Sequence, residues 1–242
     1  MNNQQIERVK LELLKGKTWR YLRYLHASQA LAVVTDWHDV LVIGAGNGLA
    51  ELVLAMEYPD KHFHLTDHEA ATHSFRHAKN FQQKYDIKNI SFGSLNILEP
   101  ESKGFDIVYS VEVLEHIKED KKAALNMNNL AKKYVFCLVP FAEKSLNDNK
   151  VKREDVLKRF EHFVVGYDEN TLTNFFPNPI AVRGCYWADE GLAFRLKLSN
   201  MDIPSIEESY NDLVCLAKND IKKQVQLTQK QALGIWIISA VQ

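Results

Sequence analysis

Apolar residues along the chain fall into short runs rich in β-branched side chains, separated by longer stretches of helical period. This pattern predicts strands alternating with helices. Residues 40–43 form the first run, and after three glycines residues 49–56 read as a helix of good helix formers. Residues 61–67 alternate into a strand that ends on Asp67. Residues 69–85 then read as a helix, and 89–92 and 105–110 as strands. A helix follows over 118–132 with Ala123, Ala124, Met127, Leu130 and Ala131 inward, and residues 134–139 make another strand. Such alternation argues for a parallel sheet with right-handed crossovers and ligands at the carboxyl ends of its strands.

The flanking segments are more helical. Residues 3–31 read as two helical pieces broken near Gly16, with Trp19, Leu22 and Leu25 at helical spacing. They either lie on the sheet or, through Trp19, Tyr21 and Tyr24, cover a substrate pocket as a lid. Residues 141–165 form a long charged connection of the kind that serves as a binding loop, with a helix over 152–160. The mixed charges of 150–155 read as a solvated helix face. Residues 170–176 look helical and 180–187 look like a strand, whose Tyr186 and Trp187 suit either an acceptor pocket or the core. Ser205 and Glu208 form a capping box before a helix over 206–224, with Ile206, Tyr210, Leu213, Val214, Ala217 and Ile221 on one face. Residues 233–240 read as a terminal strand. With no repeat, low-complexity tract or linker, residues 1–242 are expected to form one domain. Residues 1–35 are its N-terminal helical lid and 190–230 a helical insertion before the last strand.

Composition narrows the class. A 46% apolar content over 242 residues supports a substantial core, and 30 Lys+Arg against 31 Asp+Glu give no overall field for a polyanion, so nucleic acid is not expected. Cys137, Cys185 and Cys215 are far apart, cannot all pair, and include no Cys-x-x-Cys, which suits a reducing compartment. The N-terminus lacks the basic and apolar regions of a signal peptide and no apolar run is long enough to span a bilayer, so a cytoplasmic protein is expected.

The chemistry centres on Gly44-Ala45-Gly46-Asn47-Gly48. A strand, a glycine turn and a helix bring bare backbone N–H groups to the front of a helix, where a ligand can approach the main chain closely. The dinucleotide fingerprint needs Gly or Ala where this chain has Leu49, so hydride transfer with NAD is disfavoured. Asp67 follows 23 residues after Gly44, beside His68, and its carboxylate can accept hydrogen bonds from both ribose hydroxyls of a nucleoside or act as an acid at a helix N-terminus. Asn96 can read an adenine edge or serve as a plain turn residue.

The segment from Phe105 to Ile117 carries Ser110 and Val111 at the end of the fourth strand and then Leu114-Glu115-His116. With it the chain resembles a class I S-adenosylmethionine-dependent methyltransferase of the quinone-biosynthesis and sugar-modifying type. The resemblance covers residues 38–188 and 233–241. Gly44 to Gly48 match the family's first motif, Asp67 its ribose acid, Asn96-Ile97 its adenine-side pair, and Leu114-Glu115-His116 its signature after the fourth strand. His162 to Tyr167 resembles a His-x-x-x-Gly-Tyr segment found in some members. Two positions depart. Val42 stands where the family has an acid that fixes the loop and the methionine ammonium, and Asn96 where it usually has Asp; restoring an acid at Val42 is therefore expected to tighten cofactor binding. The resemblance implies an α/β, Rossmann-like, seven-stranded and mostly parallel sheet with an antiparallel last strand and helices on both faces. It implies S-adenosylmethionine as cofactor, held by Gly44, Ala45, Gly46, Gly48, Asp67, His68, Asn96, Ile97, Ser110 and Val111. It also implies an acceptor pocket built from 3–31, 141–165 and 190–230.

Methyl transfer to a small-molecule hydroxyl is then the expected reaction, with His116 and Glu115 as the catalytic candidates. A hydroxyl acceptor must lose a proton, and a histidine titrates near the working range; His116 also suits a cap or core role in the following helix. Glu112, Glu115 and His116, with His162 as a distant fourth ligand, resemble the metal motif of small-RNA 3′-terminal 2′-O-methyltransferases, a metal-dependent alternative. A third alternative is a module that binds a nucleotide without turnover. No metal is expected, because His62, His64, His68, His73 and His77 have no third ligand spaced to close a site and read as exposed helix-face residues. The acceptor and the oligomeric state are not encoded in any motif.

Overall fold

The computed structural model describes residues 2–16, 20–101, 104–143, 150–185, 197–224 and 232–241. Trp19, Tyr186 and Trp187 lie outside them, as does part of the 190–230 insertion. The described residues build a seven-stranded sheet of β1 (Asp39–Ile43), β2 (His62–Asp67), β3 (Ile90–Ser94), β4 (Phe105–Val111), β5 (Ala131–Pro140), β6 (Pro179–Cys185) and β7 (Gly234–Ala240). The spatial order is β3-β2-β1-β4-β5-β7-β6. The pairs from β3 to β5 are parallel, and β7 runs antiparallel to both β5 and β6. The mostly parallel sheet with an antiparallel last strand is thus present.

Two apolar layers cover the sheet, and strand alternation sorts residues between them. On one face Val40, Val42, Phe63, Leu65, Ile107, Tyr109, Phe136 and Trp236 pack under α1 (Asn3–Lys15), α2 (Arg20–Val33), α3 (Leu49–Glu57) and α4 (Arg76–Tyr85). On the other, Leu41, Ile43, Val108, Val135, Cys137 and Ile237 pack under α5 (Asp120–Leu130) and the helix at Glu169–Phe175. That second layer thins towards β2, whose residues on this face are His62, His64 and Thr66, because the described part of the connection from β3 to β4 forms no helix. No helix among the described residues is long and apolar enough to cross a membrane.

Three boundaries move for physical reasons. The stretch read as one helix over 69–85 opens as a 3-10 helix at Glu69–Phe75 and turns α-helical only at Arg76. Ala131, read as helical, begins β5, because the sheet partner Phe105 claims it. The helix over 206–224 is two helices, Ile203–Glu208 and Tyr210–Gln224, parted at Ser209. Its cap is not Ser205 but Asp202, whose side chain accepts the N–H of Ser205 at 2.9 Å, with Pro204 in the first turn where its missing N–H costs nothing.

Candidate active site

The glycine loop leaves β1 in a left-handed backbone, with φ of +66° at Gly44, +59° at Gly46 and +70° at Gly48. At Gly44 a Cβ would stand 2.3 Å from Val113 Cγ2, so only glycine lets the strand ends approach. At Gly46 a Cβ would meet no described residue within 4 Å, so among the described residues the space before the loop is open. At Gly48 a Cβ would stand 2.9 Å from Leu65 Cδ2 and 3.3 Å from Ala78 Cβ, so glycine there lets α3 pack closely. Asp67 fixes the loop. Its Oδ2 accepts the Gly46 N–H at 2.8 Å and its Oδ1 the His68 N–H at 2.8 Å. Each oxygen keeps a second acceptor direction for a ligand hydroxyl.

A cleft of about 630 Å³ opens beside this loop and gathers Gly44, Asp67, His68, Asn96, Ile97 and His116 from four separate segments. Leu95, Leu98, Val113 and Ile117 give it apolar walls. Asn96 Oδ1 accepts the Leu98 N–H at 3.1 Å, so its carbonyl shapes the turn while its amide nitrogen is left for a ligand edge. Ser110 is buried, and its Oγ has no hydrogen-bond partner among the described residues. Ala45, Gly46 and Val111 line a second, smaller cavity of about 80 Å³ on the far side of Gly44.

The two catalytic candidates separate. His116 is exposed at the rim of the large cleft. Glu115 is fully buried behind the cleft wall, and neither of its oxygens has a hydrogen-bond partner among the described residues. Burial, reinforced by the negative charge of Glu112, pushes its carboxyl up to about 8. His162 arrives from a segment 46 positions away and sets its ring edge-on to His116, with centroids 4.5 Å apart at 87°. Burial and the neighbouring His116 bring its pKa down to about 4, so it is neutral at pH 7. Ligand atoms of Glu115, His116 and His162 lie within 4.8 Å of one another. Glu112, just after β4, holds a left-handed φ of +54° that is costly for a side chain of its kind, and it forms an ion pair with Arg23 of α2.

The small cavity holds residues that the sequence reading missed. Arg20 and Arg23 of α2 and Glu51 of α3 line it together with Val42 and Tyr109. Glu51 is 6% exposed and accepts the Tyr109 hydroxyl at 3.3 Å. Burial pushes its carboxyl up to about 7 against the opposing pull of Tyr109 and the two guanidiniums. Every residue of α3 from Leu49 to Met56 is buried, so the acid at 51 is not the polar face it resembles.

Residues 41–133 match the family model described as a methyltransferase domain. Solved structures share the Rossmann-like fold of methyltransferases. A candidate sarcosine dimethylglycine methyltransferase from Galdieria sulphuraria is 10% identical and superposes with a TM-score of 0.62 over 90% of this chain and 83% of its own. A candidate methyltransferase from Bacillus halodurans is 12% identical, with a TM-score of 0.57 over 88% of this chain and 97% of its own. Phosphoethanolamine N-methyltransferase 2 from Haemonchus contortus, solved with S-adenosyl-L-methionine, is 16% identical, with a TM-score of 0.54 over 89% of this chain. The match spans 52% of that enzyme, about half its length. At these identities the likeness is one of fold. No curated protein sequence matches the chain.

Proposed function

We propose that this chain is an S-adenosylmethionine-dependent methyltransferase acting on a small-molecule hydroxyl, a sugar or a quinone-like phenol, as one domain with the N-terminal helices over its site. The observation that carries the reading is the single cleft that joins Gly44, Asp67, Asn96 and His116. The residues fit the cofactor. Open space lies before Gly46, acceptor directions remain on Asp67, and apolar walls at Leu95 and Ile97 suit a flat purine. A zwitterion asks for a cation and an acid together, and Arg20, Arg23 and Glu51 offer both where Val42 offers neither.

When bound, S-adenosylmethionine supplies a methyl group on a positively charged sulfur, for in-line displacement by an acceptor oxygen. Asp67 would hold the ribose, and Asn96 and Ile97 the base. Glu51, its carboxyl pushed up to about 7 by burial, would ionise to hold the ammonium. His116 takes the acceptor's proton on an imidazole nitrogen at the cleft rim. His162 stays neutral at pH 7 and steadies the His116 ring from its edge, a positioning role.

Calorimetry with S-adenosylmethionine, S-adenosylhomocysteine and NAD, followed by transfer of labelled methyl to sugar and phenol acceptors, tests the reading. Binding of both S-adenosyl ligands and labelled product are expected; NAD binding with no S-adenosyl ligand would overturn it. A second reading, metal-dependent transfer to an RNA 2′-hydroxyl, is favoured by the convergence of Glu115, His116 and His162. Activity that disappears in chelator and returns with a divalent ion supports it; full activity in chelator removes it.

A further inference from the structure

At the end of the sheet away from the glycine loop, the thinly covered face of β2 carries two histidines. The two-residue period of a strand sets His62 and His64 on one side, and the parallel register places Asp39 of β1 beside His62. One ligand atom from each of Asp39, His62 and His64 lies within 4.8 Å of the others. His62 Nδ1 is 2.9 Å from His64 Nε2, and His64 Nε2 is 3.6 Å from Asp39 Oδ1. Two nitrogens bound tetrahedrally to zinc sit about 3.3 Å apart, given Zn–N bonds of about 2.0–2.1 Å. The observed spacings bracket that value.

We propose that Asp39, His62 and His64 form a site for a divalent transition metal of the zinc type, with two imidazoles and one carboxylate as protein ligands and solvent completing the shell. The surroundings orient the donors as a metal site requires. His64 Nδ1 lies 3.0 Å from Ser91 Oγ on β3, which fixes the ring and leaves Nε2 for the ion. Phe105 of β4 meets the same ring edge-on at 5.1 Å. The second oxygen of Asp39, Oδ2, stands 3.5 Å from His38 Nδ1, so one carboxylate oxygen is held while the other faces the histidines. Imidazole with carboxylate selects zinc and its neighbours over calcium or magnesium, which take oxygen shells. The ion joins β1 to β2 in the folded chain only, and so it stabilises the native state by mass action. Sequence spacing hid the site because its third ligand lies 23 positions before His62, on the neighbouring strand; His62 and His64 are strand residues, not helix-face ones.

This site is independent of the proposed methyl transfer. The test uses the full chain carrying His116→Ala and His162→Ala, which removes the cleft histidines. Calorimetric titration of this protein with zinc chloride should show one bound equivalent. Adding His64→Ala should abolish that equivalent, and Asp39→Asn should weaken it at least about tenfold. Thermal melting gives a second readout: zinc should raise the Tm of the parent and leave that of the His64→Ala protein unchanged, while melts without zinc check that each variant folds. No zinc binding to the parent, or binding of unchanged affinity after His64→Ala or Asp39→Asn, overturns the proposal.

Discussion

Glu51 and Glu115 are both buried carboxyls, one on each side of Gly44, but their surroundings differ. Glu51 sits in the first turn of α3 with a tyrosine hydroxyl on one oxygen and two arginines nearby, and its pKa rises to about 7. Glu115 sits in a 3-10 turn after β4 with no hydrogen bond to either oxygen among the described residues and the negative Glu112 nearby, and its pKa rises to about 8. The first acid can be ionised by an arriving ammonium at little cost. The second stays protonated at neutral pH unless a metal ion reaches it through His116 and His162. Under the proposed function, one cavity would take the charged end of the cofactor and the other would serve chemistry at a rim.

If the two sides do separate binding from chemistry, substitutions should separate them too. The largest effect is expected from His116→Ala: kcat for methyl transfer falls about 10²–10⁴-fold, the usual contribution of a general base, with cofactor affinity unchanged by calorimetry. An equal loss in affinity would break the division. Glu51→Gln should do the reverse, weakening S-adenosylmethionine about 10–100-fold, the loss of a charged hydrogen bond worth about 1.5–3 kcal/mol. A turnover defect at saturating cofactor would count against it.

Val42→Asp sharpens the contrast further. The sequence reading expected an acid there to tighten cofactor binding. Yet Val42 is buried in the core beside Glu51, so a second carboxyl must be desolvated next to the first. The expected result is a loss of about 1–3 kcal/mol in denaturant unfolding and no gain in affinity. Tighter binding in this variant would show that Glu51 does not replace the missing acid.

The smallest expected effect on cofactor affinity belongs to Glu115→Gln, whose consequence is read instead in the pH dependence of stability. The native pKa of about 8 lies above the ordinary value of 4.5, so the folded protein keeps a proton that the unfolded chain gives up. The stability linked to this proton is fully present below pH 4.5 and is lost as the pH rises through 8. Glutamine cannot ionise. Unfolding free energy of the variant should therefore fall less than that of the wild type between pH 5 and 8, by on the order of a few kcal/mol, with cofactor affinity within about twofold of wild type. Identical pH profiles would show that Glu115 is solvated.

Much of the fold could be read from the chain because the strands declare themselves through short β-branched apolar runs or, in β2, through alternation. Phe63 and Leu65 face one layer while His62, His64 and Thr66 face the other, and the two-residue period needs no partner to be seen. The glycine loop with Asp67, Asn96 and His116 was also legible, since these residues follow successive strands and parallel strands place their carboxyl ends together. Glu51 was not, because a lone acid in a helix reads as its wet face until neighbours bury that face.

The sequence by itself determined the strands, the glycine turn and the residues at the strand ends, because those follow from local period and backbone freedom. Only the tertiary structure decided the company each charged side chain keeps. Arg23 meets Glu112 across 89 positions, His162 meets His116 across 46, and Asp39 joins His62 and His64 from the next strand. Burial and electrostatic coupling depend on distance in space and on excluded water, and neither is written in spacing along the chain.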